Sequence, residues 1–371
     1  MKGSENLNTT LQVHVTNQCN LRCPYCYIDF NKRSMTLDDF KAQLPIARKL
    51  AKLMNPDGEK FNIAYFGGEP LLNIDVVFQI NDYLRSIDFP IGFSHIQTNS
   101  LLLTPEILAG VNARGVGMSY SFDGLTDTRE NIVVHEQQLA SGLIGTSAKI
   151  MVSGDTIDQL NDNYEYFLNL GFKDPDFSFV RDDVWTEESL KIAADVVPAL
   201  VDRLIDLTLT TGELHLVGFV KLNILDSFVN TVYGRRDFTC FAGRNGFALT
   251  PDRVIYPCSR FYANDEFRLA DANLDVIYKD VVEELRRKLS TKTAHECGSC
   301  KLKKYCNTGC AYSQLINGDR QRLKPISGYC KLLEITYAES MRLYRELRET
   351  PQLKNFINEK AGEIYGKTVQ H

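Results

Sequence analysis

Three cysteines near the start, Cys19, Cys23 and Cys26, are the residues whose type and spacing best suit chemistry. They sit in Thr16-Asn17-Gln18-Cys19-Asn20-Leu21-Arg22-Cys23-Pro24-Tyr25-Cys26-Tyr27, a C-x3-C-x2-C loop directly after an apolar-alternating run. Three soft thiolates on one short loop cannot complete a tetrahedral four-sulfur site by themselves. They suit one cubic iron–sulfur cluster, with one iron left without a protein ligand. An open iron is a place for a substrate to bind. Scattered core cysteines, or a zinc site lacking its fourth ligand, are the competing readings of this spacing.

Seven more cysteines lie between Cys240 and Cys330, whereas the long stretch between Cys26 and Cys240 has none. Cysteine is therefore not simply a favoured core residue here. Ten thiols in such a chain do not fit a disulfide framework, and grouped cysteines in a reducing compartment mean metal. Cys240 opens the second group. Phe247 to Cys258 reads as a β-hairpin with Pro251-Asp252-Arg253 at its turn and a thiol just past its second strand. Cys297-x2-Cys300-x5-Cys306-x3-Cys310 then packs four thiols into one short stretch, and Cys330 follows. Two structural zinc sites are the competing reading.

The elements that must position these groups show in the periodicity. Strands are expected at Leu11–Thr16, Phe61–Phe66, Phe93–Thr98, Val116–Phe122, Ala148–Ser153 and Asp176–Val180. Helices are expected at Leu37–Met54, Pro70–Arg85, Pro105–Ala113, Ile157–Leu170 and Thr186–Leu207. Thr156 and Thr186 read as N-caps, while Asn112 to Gly115 and Leu170-Gly171 read as helix ends. Six βα units in series predict a parallel α/β barrel or an open version of one. Active sites of such barrels gather at the C-terminal ends of the strands. The first strand leads into the cysteine loop. The second leads into Gly67-Gly68-Glu69-Pro70, where paired glycines permit close backbone approach and Glu69 can accept from an ammonium. The third ends in Gln97-Thr98-Asn99. The fourth places Ser119, Ser121 and Asp123 on one face, a polar triplet that needs partners and that a ribose would satisfy. A strand-to-helix turn and a serine-lined cap are the plainer readings of these last segments. His14 and His95 fall within strands, where a histidine is more often a satisfied core or rim residue than a ligand.

Beyond about Gly212 the rhythm stops, and Leu214–Asn230 reads as an amphipathic helix. Charged helices, Asp275–Leu289 and Ile335–Leu347, flank the second cysteine group. The 371 residues are 44% hydrophobic and 24% charged, as in an ordinary globular protein. No apolar run approaches the ~18 residues of a membrane span, and the first ten residues are too polar for a signal peptide. A net charge of −5 without a basic tract argues against nucleic acid as the main partner. A cytoplasmic protein, bound to neither membrane nor nucleic acid, is expected.

With these residues in view, the chain resembles the radical S-adenosylmethionine (radical SAM) enzymes, whose signature C-x3-C-x-Φ-C has an aromatic Φ, here Tyr25. The resemblance implies that a 4Fe–4S cluster on Cys19, Cys23 and Cys26 chelates S-adenosylmethionine and splits it reductively to a 5′-deoxyadenosyl radical. That radical abstracts a hydrogen atom from the substrate. It also assigns Gly67, Gly68 and Glu69 to the amino group of S-adenosylmethionine, and Ser121 and Asp123 to the ribose. The second cysteine group resembles the SPASM extension of many such enzymes. That likeness implies two auxiliary 4Fe–4S clusters, one on Cys297, Cys300, Cys306 and Cys330 and a nearer one on Cys240, Cys258 and Cys310. The implied architecture is a partial (β/α)6 TIM-like barrel over residues 1–211, a helical linker over 212–237, a SPASM/twitch lobe over 238–335 and a C-terminal helical segment over 336–371.

Two departures stand out. The family expects glycine at the hairpin turn, where this chain has Arg253. Some members give the nearer cluster a fourth cysteine, absent here, so that cluster keeps an open iron or takes an oxygen ligand, for which Asp237 is the nearest candidate. Relatives with this extension mostly modify peptides or proteins, with flavodoxin or ferredoxin as electron donor. Sulfatase maturases usually carry an aspartate base directly after the second hairpin cysteine and often a glutamine before G-G-E-P. Here Ser259 and Phe66 hold those places, which favours a maturase that crosslinks a ribosomally made precursor peptide through thioether or carbon–carbon bonds. Nothing before Leu11 is long enough for a small peptide-recognition domain, so a separate leader-binding protein is a possible partner. Formylglycine formation in sulfatases, dehydrogenation of a small molecule and, outside enzymes, a multi-cluster electron carrier are the alternatives. Tyr27, Asp29, His95 and Asp237 are candidates for proton transfer by position only.

Overall fold

The structure, a computed structural model, describes residues 8–126, 129, 132–145, 148–233, 240–289, 295–303, 305–306, 309–318 and 320–365. In chain order the strands are β1 (Thr9–Thr16), β2 (Phe61–Gly67), β3 (Ile91–Thr98), β4 (Gly117–Ser121), β5 (Ala148–Val152), β6 (Asp176–Phe179), β7 (Gly246–Leu249), β8 (Val254–Tyr256), β9 (Ala270–Asp271) and β10 (Val276–Ile277). The α-helices are α1 (Leu37–Met54), α2 (Ile74–Ser86), α3 (Pro105–Ala113), α4 (Ile132–Ala140), α5 (Leu160–Asn169), α6 (Glu187–Thr211), α7 (Gly218–Tyr233), α8 (Lys279–Lys288), α9 (Ala311–Ile316), α10 (Ser327–Leu347) and α11 (Pro351–Tyr365). Apart from the helix between β4 and β5, the strand–helix alternation is the one the periodicity predicts, and the first six strands fall within two residues of their expected bounds. No helix among the described residues is long and apolar enough to cross a membrane.

By compactness the chain divides into two units. One unit comprises residues 1–122, 128–145 and 240–289, and the other 123–127, 146–239 and 290–371. In the first, the sheet order is β10-β9-β8-β7-β1-β2-β3-β4. The strands from β7 through β4 run parallel, with register shifts between His14 and Thr16 in the β1–β2 pairing and between Phe61 and Ile63 in the β2–β3 pairing. Leu11, Val13 and Val15 of β1 and Ile63 and Tyr65 of β2 have no exposed surface, so one face of the sheet is core. Each such aliphatic side chain removed from water contributes roughly 1.5–3 kcal/mol. Helix α1 begins at a capping box, in which Thr36 Oγ1 accepts from Asp39 N and Asp39 Oδ2 accepts from Thr36 N. The predicted hairpin is present, with Ala248 opposite Tyr256. Its first strand lies beside β1, so the cysteine-bearing hairpin shares a sheet with the strand that launches the first cysteine loop.

Arg253 adopts the left-handed conformation that the turn requires, at φ 63°. A side chain there costs backbone energy that glycine would not. Arg253 Nε donates to Asp39 Oδ1 at 2.7 Å, and Gln43 clips Thr250 through both its backbone groups, which ties the turn to α1.

In the second unit β5 and β6 pair in parallel, and α10 runs against α6 and α7. Asn223 donates to Ser340 across that packing, and Ser227 to Tyr337. Gly328 in the first turn of α10 backs onto Trp185, where a Cβ would stand 2.4 Å from the Trp185 carbonyl oxygen.

Several local expectations differ from the structure. Thr186 caps α6 through its side chain as predicted; Thr156 also stands at its predicted N-cap position, but its hydroxyl accepts from Ser153 N and makes no bond to the helix it precedes. The helices predicted from Pro70 and Ile157 each open with a 3-10 turn. Helix α7 starts at Gly218 rather than Leu214, and α10 starts at Ser327, well before Ile335. The periodicity did not predict α4. The positive φ of Gly115 and Gly171 bears out both predicted helix ends.

Candidate active site

The first cysteine loop leaves β1 and is sewn to the neighbouring strand ends by main-chain bonds. Gly68 N donates to Thr16 O and Glu69 N to Gln18 O, both at 2.8 Å. A Cβ on Gly67 or Gly68 would stand 2.1 Å from the carbonyl oxygen of Thr16 or Gln18. The paired glycines are therefore required by the cysteine loop itself, whatever else they touch. Asn73 Nδ2 donates to Val15 O and Met35 O and so closes the loop's base.

Within the loop, Cys26 N donates to Cys23 O at 3.0 Å and turns the chain back on itself. Leu21 N donates to Cys19 Sγ at 3.4 Å. Burial raises the Cys19 thiol above its ordinary range, with the charges of Glu69 and Cys26 adding to the effect. Burial raises Cys26 in the same way, and Cys23 adds to it. Cys26 thus interacts electrostatically with both Cys19 and Cys23. Among the described residues, no three His, Cys, Asp or Glu side chains stand close enough to ligate one metal ion together. A soft, three-thiol donor set spread over one loop fits a multi-iron cluster, whose bound irons each take one sulfur. Tyr25 lies half-buried under the Arg129 guanidinium, 5.5 Å from its ring centre, and the positive charge of Arg129 also reaches Cys26 and Glu69.

Glu69 is the organising carboxylate. It is 1% exposed, with Oε1 accepting from Leu71 N at 2.9 Å and Thr98 Oγ1 at 2.6 Å, and Oε2 accepting from Asn99 N at 2.8 Å. Burial raises its pKa, against the pull of these three donors and of Arg129. Most of its acceptor capacity is therefore spent on the ends of β2 and β3. Asn99, in turn, donates to Asn20 Oδ1 at 2.9 Å and reaches Cys19 Sγ at 4.0 Å. Its carbonyl pairs with His135 Nε2 of α4. The sequence placed Gln97-Thr98-Asn99 at a strand end without a role, and the structure makes all three part of the site.

A polar ladder crosses the face of β3 and β4 opposite the core. His95 Nε2 lies 2.7 Å from Ser119 Oγ, Ser119 Oγ donates to Gln97 Oε1 at 3.2 Å, and Gln97 Nε2 donates to Ser121 Oγ at 2.8 Å. The other face of these strands turns Tyr120 into an apolar cluster with Leu71, Leu103 and Ile144. Ser119 and Ser121 thus find protein partners that the sequence reading had not supplied. In the second unit, Asp123 is 1% exposed and Oδ1 accepts from Met151 N at 3.2 Å.

His14 lies on the same side of β1 as Gln12, with no exposed surface. It is core, but not satisfied: neither ring nitrogen has a hydrogen-bond partner among the described residues. Burial lowers its pKa to about 4, so the ring is neutral near neutral pH. Tyr262 covers it edge-on at 5.5 Å and accepts from Asn17 Nδ2 at 2.9 Å.

The proton-transfer candidates separate. Tyr27 has its phenol raised well above the ordinary range by burial of the hydroxyl and by the neighbouring Cys258, although 45% of the residue as a whole is accessible. Its hydroxyl meets Ser259, and Arg260 lies 5.2 Å from its ring centre. Ser259 gives both N–H and O–H to Gln12 Oε1 at 2.9 Å. His95 belongs to the ladder. Asp29 is exposed and offers its carbonyl to Asn31. Asp237 lies outside the described residues.

The second cysteine group is described with each unit. In the first, Cys258 is buried and Cys240 Sγ accepts from Ala242 N at 3.5 Å. In the second, the Cys330 thiol is pushed up to about 12 by burial and then by the charges of Cys306, Cys297 and Cys300. Cys330, in the first turn of α10, thus lies within the fields of Cys306, Cys297 and Cys300. Tyr329, beside them, also feels Cys310.

Residues 13–191 match the family model of the Radical SAM superfamily. The radical SAM cyclopropyl synthase TigE of Paramaledivibacter caminithermalis is 23% identical over 279 residues, 67% of this chain. That match spans 57% of TigE, little more than half of its length. The cysteine-type anaerobic sulfatase-maturating enzyme of Clostridium perfringens is 23% identical over 323 residues, covering 79% of this chain and 85% of that one. Among solved structures, anSMEcpe with bound AdoMet superposes with a TM-score of 0.70 at 18% identity, over 95% of this chain and 99% of that one. Streptococcus suis SuiB bound to precursor peptide SuiA superposes with a TM-score of 0.57 at 17% identity, over 87% and 76%. These likenesses show a shared fold, the α/β partial barrel that the strand–helix alternation predicts.

Proposed function

Because residues 13–191 carry a radical SAM domain, we propose that this chain is a radical SAM enzyme acting on a peptide substrate and joining two of its atoms through a thioether or carbon–carbon bond. Cys19, Cys23 and Cys26 would hold a 4Fe–4S cluster, and Cys297, Cys300, Cys306 and Cys330 a second. Cys240, Cys258 and Cys310 would hold a third. When bound, the first cluster would supply the electron that splits S-adenosylmethionine, whose nucleoside fragment would take one hydrogen atom from the substrate; closing the crosslink would release the second hydrogen as a proton, with its electron accepted by an auxiliary cluster.

The chain's own residues hold and orient. Tyr25, Gly67, Gly68 and Glu69 border the cysteine loop, with the Arg129 charge beside them. Ser121 and Asp123 are assigned to the ribose. Water exclusion belongs to the half-buried polar face of β3 and β4. A flavodoxin or ferredoxin would deliver electrons, and a separate protein could present the leader.

The observation that carries this reading is the three-thiol loop, with Cys26 in the fields of both Cys19 and Cys23, beside the Glu69-centred knot. The knot joins Cys19, by way of Asn99, to the ends of β2 and β3. Crosslinking is favoured over formylglycine formation by Ser259. Its hydroxyl is committed to Gln12 and meets Tyr27, whose phenol holds its proton tightly, so this place offers no base.

The test is mass spectrometry of peptides incubated anaerobically with the reconstituted protein, dithionite and S-adenosylmethionine. Crosslinking predicts loss of two hydrogens from a peptide encoded beside this gene, with that peptide blocked to thiol alkylation or carrying a new carbon–carbon link. Conversion of a sulfatase-derived cysteine peptide to formylglycine would establish the maturase reading instead. An electron carrier would consume no S-adenosylmethionine.

A further inference from the structure

The ladder on β3 and β4 has a direction. A serine hydroxyl has one proton to give. Ser119 gives its proton to Gln97 Oε1, so at 2.7 Å from His95 it must receive one, which places a proton on His95 Nε2. With its oxygen accepting from Ser119, the Gln97 amide turns its nitrogen to Ser121 Oγ. Ser121 thereby accepts, and its own proton has no acceptor among the described residues although the residue is only 8% exposed. A buried hydroxyl proton without an acceptor is costly, and a ligand atom with a lone pair removes the cost. Gly117 makes room for this arrangement, because a Cβ there would stand 3.1 Å from His95 Nδ1.

We infer that Gln97, oriented by Ser119 and His95, is a positioning residue that sets Ser121 as a hydrogen-bond donor to an acceptor atom of the bound nucleoside. This rests on the reading of Ser121 as a cofactor contact. It adds that the polarity of the contact is decided in the neighbouring strand. The reverse order, with the amide turned round, draws the Ser121 proton inward and leaves only lone pairs for the ligand. Gln97→Glu enforces that reverse order at nearly constant shape, because a carboxylate has no proton to give and takes one from each serine.

The experiment is a double-mutant cycle on the anaerobically reconstituted protein, read as the Kd for S-adenosylmethionine by equilibrium dialysis, with iron content and circular dichroism checked for every variant. Ser121→Ala is expected to weaken binding about three- to tenfold, the worth of one hydrogen bond. Gln97→Glu is expected to weaken it to a similar degree, and the double variant Gln97→Glu/Ser121→Ala no further than Ser121→Ala alone. If Gln97→Glu does not fold, Gln97→Met adds no charge and frees the Ser121 hydroxyl to rotate. It predicts a loss of about two- to threefold that again disappears without Ser121. A Gln97 variant that leaves Kd unchanged where Ser121→Ala weakens it, or that costs as much in the Ser121→Ala background, overturns the inference. Unchanged affinity in Ser121→Ala itself overturns the assignment of Ser121, and the inference with it.

Discussion

Replacing His14 by phenylalanine should make the protein less sensitive to acid. The imidazole sits in the strand that launches the cysteine loop, without exposed surface or hydrogen-bond partner among the described residues, and its pKa falls from 6.5 to about 4 on folding. Above pH 6.5 the ring is neutral in both states and nothing is lost. As the pH falls below 6.5 the unfolded chain takes up a proton that the folded chain refuses. Stability then drains until about pH 4, below which both states are protonated. At about 1.4 kcal/mol per pH unit over most of the interval below 6.5, His14 alone should remove about 2 kcal/mol between pH 7 and pH 5. Other groups titrate in both proteins and cancel in the difference. Urea unfolding followed by circular dichroism at the two pH values, without oxygen, reads it directly. His14→Phe should lose about 2 kcal/mol less than the parent over that interval, and at pH 7 should be no less stable, since two unpaired buried nitrogens are gone. Equal acid losses in the two proteins would refute the reasoning.

Three further outcomes are expected. Glu69→Gln turns an amide N–H₂ toward at least one of the donors Leu71 N, Thr98 Oγ1 and Asn99 N, and should cost about 2 kcal/mol or more in unfolding free energy. Arg253→Gly relieves the left-handed turn while losing the Asp39 pair, so its unfolding midpoint should stay close to the parent's. Arg253→Ala keeps the strain without the pair and should be less stable than Arg253→Gly by about 1 kcal/mol. Replacing Cys297, Cys300, Cys306 and Cys330 together by alanine should lower the iron content of reconstituted protein by roughly four atoms per chain, by colorimetric assay.

What the sequence makes legible here follows from where each signal is local. Strands and helices with clean periodicity appear within two residues of their predicted bounds at β1, α1 and α3, because a buried face and a cap lie within the same short window. Thr156 holds the predicted N-cap position without a side-chain cap bond, because Ser153, three residues upstream, takes its hydroxyl. The cysteine spacing predicts a cluster loop from the sequence alone, since ligand spacing is a local property. The site's wiring was not legible, because it is made by register between strands. Nothing local says that Glu69 answers to Thr98 and Asn99, or that Gln97 stands between two serines of β4. His14 is a case of the same kind, since what covers its unpartnered ring edge-on is Tyr262, a residue far along the chain. Arg253 shows the converse, a residue that local rules disfavour at a left-handed position and that a distant carboxylate, Asp39, holds there.

The central claim is that Cys19, Cys23 and Cys26 together hold a cluster with one iron open to S-adenosylmethionine. Its most direct measurement is 5′-deoxyadenosine formed by anaerobically reconstituted protein given dithionite and S-adenosylmethionine. The parent protein should form it. The Cys19→Ala/Cys23→Ala/Cys26→Ala variant should form none while keeping the iron of its remaining cysteines. Product persisting in that variant, or zinc found in place of iron and sulfide in the parent, would contradict the claim.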